Sequence, residues 1–315
     1  MWSPRLQTVL ATVFPVFALI ALGFGAAKVN ILAPQSTDVL NRFVIYLALP
    51  AMLFRAMVGT DWAMLGNGPY ILSFGGGMIA TFALMMLFSM RSRASLADRA
   101  VNALAASYPN TGYMGLPLAL MAFGAPSLPA AAVAMLMTTC VIFGIAIVFI
   151  EMDRATTPSL AHTLAKVAWG LLKNPLMLSP VLGAAYSASG IGLPVAIDRF
   201  LELLGGSASP CALVTIGLFL AERQTVVPHG GVWGVVLLKL FVQPAITGFL
   251  AFRVFELPPI WASTALLLSA LPIGTGPFML AKYYRLDAGV TSRAILLTTL
   301  GSVVTTALLV AWLVP

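Results

Sequence analysis

Between Thr8 and Leu313 the chain is divided into ten apolar windows, each long enough to cross a lipid bilayer: 8–27, 36–57, 65–90, 99–124, 129–150, 166–188, 197–221, 230–254, 258–281 and 289–313. Charged or turn residues bound them. In lipid every backbone N–H and C=O must find a partner, so windows of this length read as helices. No ten-residue alternation of apolar and polar residues points to a barrel. Charged residues make up 9% of the chain and hydrophobic ones 60%, whereas a soluble domain carries about 25% charged residues. The expected fold class is an all-α polytopic membrane protein with ten transmembrane helices. Residues 1–27, with Arg5, an apolar run and "GFGAA", also have the look of a signal peptide. They are kept as a span because an internal repeat includes them.

The net charge of +7 carries no basic run, so nucleic acid is not an expected partner; membrane lipid is. Loops 1–2, 3–4, 5–6, 7–8 and 9–10 hold twelve Lys and Arg residues, and the other side holds four. This asymmetry places both termini outside and the linker at 152–165 in the cytoplasm, in a multi-pass protein of the cell (inner) membrane.

Sliding the sequence on itself by 160 aligns Pro15 with Pro175, Gly23 with Gly183, Pro34 with Pro194, Asp38 with Asp198, Pro50 with Pro210 and Pro117 with Pro277. Pro109 meets Pro272 with three residues of slippage. The chain then divides into a first five-helix repeat at 1–151, the linker, and a second repeat at 166–315. Five spans is an odd number, so the second repeat enters the membrane from the opposite side. Inverted repeats of this kind are the plan of many secondary transporters, with substrate bound near the midplane where the halves meet.

The stretch "PNTGYMGLP" interrupts the fourth span, and "ALPIGTGP" interrupts the ninth. Pro109, Pro117, Pro272 and Pro277 remove backbone donors, at about 3 kcal/mol each in a helix interior. Such breaks are tolerated at depth only where protein or a water-filled cavity satisfies the backbone. The expectation is two broken helices, four and nine, crossing near the protein centre. Their second halves would offer N-terminal amides and a partial positive charge to an anion. Asn110 adds an amide; Thr111 and Thr275 add hydroxyls; Gly112, Gly115, Gly274 and Gly276 allow close approach. The bland alternative is a pair of kinks whose polar residues satisfy freed carbonyls. Pro15, Pro50, Pro175 and Pro210 take that reading, as kinks between packing helices.

Lys239, in "VVLLKLFVQPAI", lies clearly within a span, with Gln243 one turn on. The two form a candidate charge site: an anion attractor, a cation standing in for a coupling ion, or a partner for a carbonyl or the interface. All ten acidic residues fall in loops or within about two turns of a span end. That leans away from carboxylate-held coupling ions and toward export, uniport or a proton carried on the substrate. A proton or sodium ion as coupling partner stays open, since backbone carbonyls can bind sodium. Cys140 and Cys211 read as small apolar residues, and His162 and His229 as solvated loop residues. No metal site, cofactor motif, G-x-S-x-G or H-E-x-x-H is found, so an enzyme is not expected.

The segments "LNRFVIYLALPAMLF" (40–54), "YPNTGYMGLPLALMAFG" (108–124), "LLKNPLMLSPVLG" (171–183) and "SALPIGTGPFMLAKYYRL" (269–286) resemble the auxin efflux carrier family. That family includes plant auxin exporters and bacterial malonate-type carriers. The resemblance spans nearly the whole chain. It implies a scaffold from spans 1, 2, 6 and 7 that forms a homodimer. It also implies a transport domain from spans 3–5 and 8–10 that moves as an elevator. Asn110 matches a family asparagine that contacts a substrate carboxylate, and Pro117 and Pro277 match crossover prolines. The substrate implied is a small organic anion such as malonate. A sodium-coupled carrier of the bile-acid transporter type and an auxin-like weak-acid exporter are the alternatives. Ile273 departs from plant members, which often place glutamine there, and the long cytoplasmic loop of plant exporters is missing.

Overall fold

The computed structural model describes residues 4–33, 35–58, 66–92, 94–154, 169, 175–221 and 231–313. Its elements are helices: α1 (Pro4–Lys28), α2 (Ser36–Val58), α3 (Gly68–Ser89), α4 (Leu96–Ser107), α5 (Thr111–Phe123) and α6 (Ala125–Arg154). After the linker come α7 (Pro175–Ala188), α8 (Val195–Ala221), α9 (Val232–Val254), α10 (Pro259–Ser269), α11 (Gly276–Tyr283) and α12 (Gly289–Leu313). Seven of these, α1, α2, α3, α6, α8, α9 and α12, are long and apolar enough to cross a membrane. The other three expected windows fall short for local reasons. The fourth divides into α4 and α5, and the ninth into α10 and α11. The sixth is described only from Pro175, as α7. Pro34, His162, His229, Lys166, Lys173 and most of the linker lie outside the described residues.

Lipid tails are as apolar as leucine, so helices in a membrane associate through close packing of small residues rather than by escape from water. Glycines do this here. A methyl built on Gly23 of α1 would lie 2.2 Å from the Val214 carbonyl oxygen of α8. A methyl on Gly217 would lie 2.1 Å from the Ile20 oxygen. The same arrangement joins α7 to α2, where a methyl on Gly183 would lie 2.4 Å from the Phe54 oxygen. These two contacts are counterparts: Gly23 and Gly183 are 160 residues apart, and so are Phe54 and Val214. On α3, Gly77 sits instead against the Thr247 side chain of α9, whose hydroxyl oxygen would lie 2.0 Å from an added methyl. Side chains such as Phe14, Leu72, Phe88, Leu203 and Phe249 point outward and are exposed, which suits a lipid surround.

Polar contacts between helix ends define two faces. At one, Lys28 Nζ at the end of α1 donates to the Ala221 carbonyl at the end of α8 (3.1 Å). At the other, Arg55 near the end of α2 pairs with Asp198 at the start of α8, with N···O distances of 2.6 and 3.2 Å. Both side chains are more than a third exposed, so the pair fixes the ends and adds little stability.

Replacing Gly23 by leucine should lower the thermal unfolding midpoint of the purified protein, a cost of about 1–3 kcal/mol for overpacking. The same change at Gly25, whose added methyl would meet nothing within 4 Å, should leave it unmoved. Equal midpoints for the two variants would contradict this packing.

Candidate functional site

Helix α4 stops at Ser107 because proline disfavours helical backbone at the residue before it: Tyr108 takes φ −105°, ψ 88° ahead of Pro109. Helix α10 likewise stops at Ser269, three residues before Pro272. The two interrupted stretches then cross. Pro109 and Ile273 face each other as a single antiparallel bridge. The Asn110 N–H donates to the Pro272 carbonyl (2.9 Å), and the Gly274 N–H donates to the Tyr108 carbonyl (3.1 Å). Each break thus satisfies part of the other. The crossing amides are therefore not all free, as sequence alone suggested; some are used to hold the crossing.

The bridge is asymmetric in one respect. Pro109 has no N–H, but Ile273 has one, and the Thr298 hydroxyl of α12 accepts it (3.2 Å). Thr298 is fully buried and its own hydroxyl donates to the Ala294 carbonyl (2.7 Å). Sequence reasoning missed this residue, although a signal was present: Thr138–Thr139 and Thr298–Thr299 also coincide at the 160-residue shift.

The C-terminal ends of both first half-helices are held from behind by α9. Lys239 Nζ donates to the Ser269 carbonyl at the end of α10 (2.7 Å). Gln243 Nε2 donates to the Ser107 carbonyl at the end of α4 (3.3 Å). Both side chains are fully buried. Donors at a helix C-terminus meet carbonyls that have no partner within their own helix. Lys239 sits in a π-helical turn at Leu238–Val242. Neither Lys239 nor Gln243 is among the residues that line the cavity in front of the crossing. The candidate charge site is thus a pair of caps on half-helix ends.

The opposite ends open onto that cavity, of about 710 Å³. Its lining includes Asn110, Thr111, Gly112, Gly274, Thr275 and Gly276. Asn110 is only 7% exposed. Among the described residues its side-chain amide has no protein partner, and neither do the hydroxyls of Thr111 and Thr275. The Gly112 and Tyr113 amides, in the first turn of α5, likewise have no acceptor recorded among them, as the first N–H groups of a helix must. The described lining contains no Lys or Arg. What it offers an anion is therefore a set of neutral donors at a helix start.

The glycines differ in what they do. A methyl on Gly274 or Gly276 would come within 2.9 or 2.7 Å of the Tyr108 ring, which lies over the start of α11. One on Gly115 would lie 2.8 Å from Leu268, so this glycine sits against α10 and away from the lining. Gly112 meets Met135 at an ordinary 3.5 Å. Pro117 lies two residues beyond the π-helical turn Thr111–Gly115, and Pro277 is the second residue of α11. Both prolines stand within the second half-helices; the interruptions themselves are at Pro109 and Pro272.

Five further residues were not legible as site residues. Asn41 of α2 lines the cavity, and its Oδ1 accepts a hydrogen bond from the Tyr113 hydroxyl. At the far end Glu151 accepts from the Tyr284 hydroxyl (2.6 Å). Arg154 donates to the Tyr284 carbonyl and sits 5.3 Å over its ring. This end reaches the surface, where Met279 and Tyr283 are exposed.

The family model for membrane transport proteins matches residues 8–310. A protein of Rhizobium meliloti (strain 1021) named "Putative malonate transporter" is 30% identical over 294 residues, 93% of this chain and 92% of its own length. Auxin efflux carrier component 8 of Arabidopsis thaliana is 22% identical over 97% of both chains. An uncharacterized transporter of Methanothermobacter thermautotrophicus is 25% identical over 93% of this chain and 94% of its own.

Thr298→Val should destabilise the protein by about 1–3 kcal/mol, the cost of stranding the buried Ile273 N–H, and Thr298→Ser should restore most of it. Denaturant unfolding checks this; equal stability of the valine and serine variants would count against the bridge.

Proposed function

This chain belongs to the membrane transport protein family, that of the auxin efflux carriers, and from that premise we propose that it carries small organic anions across the cell membrane. The observation that carries the reading is the cluster of unpartnered donors at the crossing, the Asn110 side-chain amide, the Thr111 hydroxyl and the Gly112 and Tyr113 N–H groups, on a cavity without a lining cation among the described residues. Neutral donors at a helix start stabilise a carboxylate without holding it as tightly as a buried Lys or Arg would. A carrier must release its cargo, so this is a suitable recognition chemistry. The relative named for malonate makes a carboxylate of that type the first substrate to try.

The ten-span inverted repeat gives the motion a frame. The scaffold would comprise α1, α2, α7 and α8, whose glycine contacts pair α1 with α8 and α2 with α7. The remaining helices would carry the crossing as a transport domain. The cavity runs from the crossing to the ends of α6 and α11 and the starts of α2 and α7. By the distribution of Lys and Arg that is the cytoplasmic face. In an elevator the crossing would load here, and displacement of the transport domain would expose it to the outside. A potential of 100 mV contributes about 2.3 kcal/mol per charge, so an anion leaves a negative cytoplasm downhill.

Purified protein in proteoliposomes should exchange malonate or a related carboxylate in counterflow. Asn110→Ala should slow that exchange by about tenfold or more, as loss of one hydrogen bond to a charged group implies. Absence of exchange with every carboxylate tried would overturn the anion reading. Unchanged exchange in Asn110→Ala would remove that residue from the site.

A further inference from the structure

Asn41 stands half-buried on α2, one and two turns before Ile45 and Leu49, and all three line the same cavity as Asn110. The Tyr113 hydroxyl donates to its Oδ1. An asparagine amide has one acceptor oxygen and two N–H donors. With the oxygen committed to Tyr113, the amide cannot flip without losing that bond, and the Nδ2 donors remain. Among the described residues they have no protein acceptor. Tyr113 is three residues past Asn110, in the π-helical turn that Asn110 precedes, so its ring sets the spacing between the two amides. The result is two separate donor points on one cavity. The one acidic side chain on the described lining is Glu151, already engaged by Tyr284, and a carboxylate offers nothing to an anion.

We propose that Asn41 is a specificity-determining residue: its Nδ2 donors take the second anionic group of the substrate, while the crossing takes the first. Tyr113 is the positioning residue that orients the amide. This rests on the carboxylate reading above and sharpens it. A compound with one carboxylate fills the crossing and leaves the Asn41 donors unmatched. A compound with two, separated by a short apolar bridge lying against Ile45, satisfies both points. Leaving a polar group unmatched in a binding site discriminates strongly between close analogues.

The test uses matched pairs that differ by one charge: malonate, succinate and glutarate against their monomethyl esters, as competitors in counterflow with the full-length protein in proteoliposomes. The wild type should favour the best diacid over its monoester by at least tenfold. Asn41→Leu should weaken the diacid about tenfold and leave the monoester unchanged, bringing the ratio near one. Asn41→Asp keeps the acceptor for Tyr113 but replaces the donors by a negative charge. It should abolish diacid exchange while retaining the monoester, and it serves if the leucine variant does not fold. Tyr113→Phe should fall between wild type and Asn41→Leu in selectivity. A parallel loss of both compounds in the Asn41 variants would overturn the proposal, as would a wild type that prefers the monoester. Either result would leave the carboxylate site at Asn110 standing. Exchange of neither compound by the wild type would overturn both.

Discussion

An unpaired backbone amide inside a bilayer costs several kilocalories per mole, and the rest of this structure depends on how that cost is met at two broken helices. A break in a membrane helix exposes carbonyls on one side and N–H groups on the other. One such break alone would need a partner from elsewhere. Two breaks at the same depth can supply each other, and here they do: Asn110 N–H to Pro272, and Gly274 N–H to Tyr108. Pro109 has no N–H to satisfy. The isoleucine at 273 keeps its donor because Thr298 waits for it.

What remains unsatisfied is distributed by direction. The carbonyl ends of α4 and α10 face α9 and are capped by Gln243 and Lys239. The amide ends of α5 and α11 face the cavity. The polarity of the broken helices therefore sorts the charge: positive potential toward the hollow, negative potential toward a buried lysine. Free donors gather in front, where we propose that the anion binds, and the Lys239 amine donates from behind. The buried lysine needs no acidic partner for this, because a helix C-terminus supplies the negative end. This geometry matches the carbonyl-partner reading of Lys239 among those that sequence left open.

Proline and glycine punctuation was the legible part of the sequence. It located both breaks, the residues around them, and the apolar windows that became α1, α2, α3, α6, α8, α9 and α12. Backbone punctuation is readable because one residue type carries it locally. The residues that escaped were those whose role depends on a partner far along the chain. Thr298 matters because Ile273 is beside it; Asn41 matters because Tyr113 reaches it; Glu151 looked like a span-end acid because its link to Tyr284 joins two segments over 130 residues apart. Pro117 and Pro277 were read as breaks from composition alone. Pro277 is the second residue of α11, where its N–H would be unpaired anyway; Pro117 lies deeper in α5, just after its π-helical turn.

The most direct measurement is an experimental structure in lipid nanodiscs, with the carboxylate that gives the strongest counterflow present at saturation. Ligand density is expected between residues 110–112 and 274–276, with a carboxylate oxygen within about 3.2 Å of the Asn110 amide and α4–α5 and α10–α11 still interrupted. A ligand bound elsewhere, with the crossing unchanged and its donors facing water, would contradict it.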